Sequence, residues 1–185
     1  MTDSTSDHFA DRASTKGCCE IERVWVLRAM PSIPAGAEIW RIEQGYLAPV
    51  VAGEAELAKL GFPEGRIRRV IEPSDTERFF HTVKRGAGVV REEIEREITR
   101  AEFDAAWPRT LGRRIAKTRH RVREGELVWE IDEFRGVEID GRALVMVEVE
   151  LSNATQRVEL PPWLAPLVVR EVSEDPSYRN SALAS

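Results

Sequence analysis

Cysteine is almost missing from this chain. Of 185 residues only two are cysteine, Cys18 and Cys19, and they are adjacent. Neighbouring cysteines cannot close an ordinary disulfide loop, and two thiolates at that spacing make a poor metal site. They read as small residues at the start of a strand, in a reducing compartment. Histidine is scarce as well. His8, His81 and His120 stand apart, with no metal-binding spacing among them. No apolar run is long enough to cross a bilayer. Residues 1–16 are polar and acidic, without the apolar stretch of a secretory signal. The expectation is a cytoplasmic protein whose residues 1–19 form a disordered leader, with a single domain over 20–185 and no membrane partner. An excess of positive charge is also absent, since 27 Lys and Arg stand against 32 Asp and Glu, a formal net charge of -5. Nucleic-acid backbones are held by positive charge, so nucleic acid is not an expected partner. No internal repeat or second domain is visible, and the oligomeric state is left open, a homodimer included.

What the chain has in quantity is alternation. Hydrophobic residues make up 42% and charged residues 32%, the balance of a soluble globular domain. Apolar and charged residues follow a strand period over 20–27, 37–46, 66–71, 76–84, 91–98, 113–123, 127–134 and 143–151. Turn residues such as Pro73-Ser74-Asp75 and Glu124-Gly125 separate several of them. Eight short strands with tight connections predict an antiparallel barrel or sandwich, not a doubly wound sheet. One helix interrupts them. Thr99 and Glu102 form a capping box, Ile98 and Phe103 a hydrophobic staple, and Phe103, Ala106 and Trp107 an apolar stripe that Pro108 ends. A second short helix is expected over 53–60. The tail after Ser152 carries Pro161, Pro162, Pro166 and Pro176, and is expected to pack across the barrel without adding a strand.

The charge falls inside the strands. Residues two apart share a face, which pairs Glu20 with Glu22, Arg66 with Arg68, Glu93 with Glu95, Glu130 with Asp132 and Glu148 with Glu150; Lys117, Arg119 and Arg121 form a triplet. The opposite faces are apolar, as in Trp25 and Leu27, Trp129 and Ile131, or Val145, Val147 and Val149. A single such pair is what any wet face carries. A series of both signs predicts a charged lumen if the sheet closes. Mg²⁺ and Mn²⁺ prefer carboxylate oxygens, a triphosphate needs Arg and Lys, and interleaving them relieves the repulsion within each set.

Taken in order, these segments resemble the CYTH superfamily of triphosphate tunnel metalloenzymes. The similarity runs through Glu20-Ile21-Glu22-Arg23, Arg41 to Leu47, Arg66-Ile67-Arg68-Arg69, His81 to Lys84, Glu93-Ile94-Glu95, Lys117-Thr118-Arg119, Trp129 to Asp132, Val147 to Glu150, and the closing stretch Asp175 to Ala184. It implies a mainly β (α+β) fold, a closed eight-stranded antiparallel barrel forming a tunnel with flanking helices. Members hydrolyse inorganic triphosphate, thiamine triphosphate or RNA 5′-triphosphate ends, and some cyclise ATP. By motif, Glu20, Glu22 and Glu150 would ligate Mg²⁺ or Mn²⁺, with Glu148 close by. Arg66, Arg68, Lys84, Lys117, Arg119 and Arg179 would hold a small triphosphate substrate. Glu130 and Asp132 would bind a second metal or orient water, while Glu93 and Glu95 would aim the basic side chains inward.

One position departs from the pattern. The family signature Glu-x-Glu-x-Lys here ends in Val24, which offers neither charge nor hydrogen bond, and strand parity turns Arg23 to the other face. An inward residue such as Arg121 is one replacement to look for. The resemblance implies metal-dependent hydrolysis of inorganic triphosphate. Thiamine triphosphatase, adenylate cyclase and a triphosphate-, polyphosphate- or nucleotide-binding protein without turnover are the alternatives, and Val24 motivates the last. For a thiamine substrate, Trp40, Tyr46 or Trp163 would have to stand at a tunnel mouth.

Overall fold

The computed structural model describes residues 21–48, 62–85, 92–153 and 155–185. Their strands are β1 (Ile21–Leu27), β2 (Glu38–Tyr46), β3 (Arg66–Ile71), β4 (Glu77–Arg85), β5 (Glu92–Ile98), β6 (Arg114–Glu124), β7 (Leu127–Ile139), β8 (Arg142–Leu151) and β9 (Val168–Glu171). Helix α1 (Arg100–Ala106) follows β5, and α2 (Asn180–Leu183) lies near the C-terminus. The alternating segments became strands within a residue or two of their expected ends, except β7. It runs on to Ile139 through a register shift between Glu133 and Glu138, where Gly136 takes a φ of 71°. The helix expected over 53–60 lies outside the described residues.

All nine strands pair antiparallel in one sheet, in the order β5-β4-β3-β2-β6-β7-β8-β1-β9. Two expectations are corrected here. The tail does add a strand: β9 pairs with β1 over Trp25 to Leu27, and Val172 N–H donates to the Val24 carbonyl at 2.8 Å. Unpaired backbone groups along the edge of β1 are satisfied this way, and the run Val168-Val169 suits a short strand. The closed eight-stranded barrel is also not found. Among the described residues the sheet ends at β5 and at β9, because β9 occupies the edge of β1 that closure on β5 would need. The sheet is nonetheless strongly curled, since side chains from every strand from β1 to β8 line one cavity of about 940 Å³.

The apolar residues face outward and are covered there. Trp25, Leu27, Trp129, Ile131, Val145, Val147 and Val149 form one cluster under Leu164 of the tail, with the two indoles 6.0 Å apart. On β3 to β5, Ile67, Phe79 and Ile98 are covered by Phe103 and Ala106 of α1. The expected capping box holds α1: Glu102 N–H donates to Thr99 Oγ1 and Thr99 N–H to the Glu102 carboxylate. Past it the chain tightens into a 3-10 turn, Trp107–Thr110, with Pro108 in its first positions. A third cluster lies on the inner face at one end: Val24, Ile115, Phe134, Leu144 and Met146, with Val172, packed against Tyr178, Leu183 and Ala184. The C-terminal segment therefore caps part of the trough, anchored where Arg114 and Ser185 exchange backbone hydrogen bonds of 3.3 and 3.1 Å. Among the described residues no helix is long and apolar enough to cross a membrane.

Candidate active site

Strand register assembles the site. In the β1–β8 pair Glu22 stands opposite Glu150 and Val24 opposite Glu148, and in the β7–β8 pair Glu130 stands opposite Glu148. Like charges directly across a ladder repel. Glu22 and Glu150 both line the cavity, and among the described residues neither has a cationic partner. Nor do three His, Cys, Asp or Glu side chains converge into a complete metal site among the described residues; Glu20 lies outside them. Burial pushes the Glu148 carboxyl above the usual carboxylate range, against the lowering pull of Lys117 and Arg119, with Asp132 and Glu22 pushing it further up.

Beside these carboxylates runs a paired network. Asp132 is 0% exposed and takes both the Lys117 ammonium and a forked contact from Arg119, with Nε at 2.7 Å and Nη2 at 2.6 Å. Arg119 Nη1 also reaches Glu130, and its Nη2 reaches Glu148 at 2.8 Å. Arg121 continues the row, donating to Glu130 at 3.0 Å and Glu38 at 3.0 Å while lying over the Trp40 ring. Burial would raise the Asp132 carboxyl, but Arg119 and Lys117 outweigh it and hold the group below the usual carboxylate range. Burial, with Arg119 alongside, lowers the Lys117 ammonium.

The facing wall is built by β3 to β5. Arg68 donates to Glu95 at 3.0 Å, Arg66 stands 3.9 Å from the same carboxylate, and Thr82 Oγ1 donates to it at 2.8 Å. Glu95 thus forms the ion pairs with these arginines that the resemblance implied for it. Gln44, 1% exposed, donates through Nε2 to the Tyr46 hydroxyl at 2.9 Å, and both line the cavity.

The structure therefore brings Glu22, Glu130, Glu148, Glu150, Arg66, Arg68, Lys117, Arg119 and Arg179 to one cavity. Asp132 does not line it; both its oxygens accept from Lys117 and Arg119 behind the wall. The Lys84 and Glu93 side chains lie outside the described residues. Gln44 and Thr82 were missed, although each is two residues from a lining or paired position on its strand. Arg121, the inward residue to look for in place of the signature lysine, lines the cavity and donates to Glu130 and Glu38. Val24 is 8% exposed and packs in the inner apolar cluster. Arg23 faces outward to Glu171 at 2.9 Å, as parity predicts. Trp163 bonds Glu124, and Trp40 lies beneath Arg121; neither lines the cavity.

The curled antiparallel sheet thus sets carboxylates and arginines around one cavity. Comparisons with known proteins identify the family. The chain is 34% identical over 167 residues to the inorganic triphosphatase of Nitrosomonas europaea, covering 89% of this chain and 96% of that protein. The inorganic triphosphatase of Acetivibrio thermocellus is 36% identical over 69 residues, 37% of this chain and 40% of that protein. The crystal structure of the inorganic triphosphatase NE1496 matches with a TM-score of 0.56 at 28% identity, covering 89% of this chain and 93% of that one. No protein-family model matches. The chain belongs to the CYTH superfamily of triphosphate tunnel metalloenzymes.

Proposed function

We propose that this protein hydrolyses inorganic triphosphate to diphosphate and phosphate in a metal-dependent reaction. The observation that carries the reading is one cavity presenting a carboxylate couple, Glu22 and Glu150, without a cationic partner among the described residues, on one side and Arg66 and Arg68 on the other. The near full-length similarity to an inorganic triphosphatase supports the choice of substrate.

The donor set fits a hard divalent cation, since Glu22, Glu148 and Glu150 bring carboxylate oxygens from two neighbouring strands to one cavity. Glu22 and Glu150, with Glu148 and the preceding Glu20, would hold Mg²⁺ or Mn²⁺. Such an ion neutralises phosphate charge and makes water a better nucleophile. Arg66, Arg68, Arg179 and Lys84 hold phosphate oxygens, and Glu95 with Thr82 keeps Arg68 aimed at them. The Tyr46 hydroxyl, kept protonated chiefly by burial, adds a neutral donor. Water attacks the terminal phosphorus, a new P–O bond forms, and the bridging P–O bond breaks with its electron pair leaving on diphosphate. The proton lost by water passes to the medium. Chemistry of this kind rests on positioning and charge stabilisation, which fixed arginines supply.

Val24 favours a second reading. Where the family signature carries lysine, this chain has a valine packed among apolar residues, which suits a protein that binds triphosphate without cutting it. Phosphate release from inorganic triphosphate, measured with Mg²⁺, Mn²⁺ or chelator, separates the two. Metal-dependent release that Glu22→Gln lowers by 100-fold or more establishes the enzyme. Triphosphate binding with no release in any condition leaves the binding protein. Thiamine triphosphate and ATP as parallel substrates test the other members' activities.

A further inference from the structure

Resting on the proposed triphosphatase reading, we infer that Gln44 is a positioning residue for the Tyr46 hydroxyl, setting it to donate its proton to the bound triphosphate. Both side chains leave β2 on the inner face, two residues apart, with Gln44 opposite Arg68 and Tyr46 opposite Arg66 on β3. They stand beside the arginines of the proposed phosphate site. The strand between them is pressed against Thr110 at Gly45, which fixes where the two side chains start.

A phenol has one O–H to give and lone pairs to receive. Gln44 Nε2 donates to the Tyr46 oxygen at 2.9 Å, and the Arg66 guanidinium, which can only donate, bonds the same oxygen. Two donors on one oxygen occupy its acceptor positions, and neither of them can take its proton. The O–H is left for an acceptor in the cavity, where a triphosphate presents its oxygens. An amide turned the other way, with Oε1 toward the phenol, would take that proton for itself. Burial raises the phenol pKa against the lowering pull of Arg66 and Gln44, so the hydroxyl keeps the proton it donates. Gln44 is 1% exposed, and an amide that deep is costly unless it is bonded.

Gln44→Met keeps the length of the side chain and removes the donor. The kcat/KM for triphosphate is expected to fall about 10-fold. In a Tyr46→Phe background the same change should alter it by less than about twofold, because Gln44 acts through the hydroxyl. Mn²⁺ affinity, read by calorimetric titration without triphosphate, should stay within about twofold, since the metal-facing carboxylates sit on β1 and β8. An unchanged kcat/KM, a full effect retained in the Tyr46→Phe background, or a parallel loss of Mn²⁺ affinity overturns the inference. Should Gln44→Met fail to fold, wild-type protein carrying ¹³Cζ-labelled tyrosine decides. The chain has two tyrosines, Tyr46 and Tyr178, and Tyr178→Phe identifies the Tyr46 resonance. Mg²⁺ with a slowly hydrolysed triphosphate analogue should move it downfield, the direction of stronger O–H donation; no movement or an upfield shift overturns it. In a wild-type protein that binds triphosphate without releasing phosphate, the hydrolysis reading falls, and this inference is decided by the same ratios taken on the dissociation constant.

Discussion

Asp132 shows how a residue's charge and its use can differ. As half of an acidic pair on a strand it looked like a catalytic carboxylate, yet it serves as the buried counter-ion of Lys117 and Arg119. Removing one member of a buried ion pair costs about 3–5 kcal/mol, and Asp132→Asn is expected to fall in that range by urea denaturation at neutral pH. Its dependence on pH has a definite sign. The folded-state pKa of Asp132 is depressed, so its contribution is fully present above the ordinary carboxylate range and is lost as pH falls through the lower, folded value. The gap between wild type and Asp132→Asn should therefore narrow on acidification. A gap independent of pH would show that Asp132 is not the charged partner.

Elements are placed by contacts that local pattern does not reveal. Gly45 on β2 is one. A Cβ there would stand 2.7 Å from Thr110 Cγ2, and Thr110 cannot yield, being 0% exposed and bonded to both the Trp107 carbonyl and Arg114 Nε. The 3-10 turn after α1 thus presses directly on the strand that carries Gln44 and Tyr46. Gly45→Ala is expected to cost about 1–3 kcal/mol by overpacking. The check is a lower urea midpoint with an unchanged slope. β9 makes the matching point toward the other end of the chain: its four residues lie within a proline-rich tail, and only the open edge of β1 makes them a strand.

At the scale of the molecule, the proposed site is a seam between two flanks. Carboxylates come from β1, β7 and β8, arginines from β3, and among the described residues β5 and β9 end the sheet without pairing to each other. A ligand touching both flanks ties together parts that the backbone leaves apart. Mg²⁺ with a slowly hydrolysed triphosphate analogue, at about 100 times its dissociation constant, should stabilise the folded protein by about 2.7 kcal/mol. Thermal unfolding should show a larger rise with both than with either alone; equal rises would mean that the two bind independently.

The sequence alone determined the strands, the capping box of α1, and which side chains share a face, because strand alternation and helix capping depend on neighbours a few residues apart. It carried most of the cavity wall for the same reason: Glu22, Arg66, Arg68, Glu148 and Glu150 are set inward by parity. Tertiary structure decided the rest. Register chose which charges meet, turning Asp132 and Arg119 toward one another and setting Glu22 against Glu150. Long-range pairing put β9 on β1 and left the sheet open, and packing of the C-terminal segment enclosed Val24. These outcomes depend on residues far apart in the chain, and side-chain alternation along one strand does not encode which distant strand lies beside it or how the sheet curls.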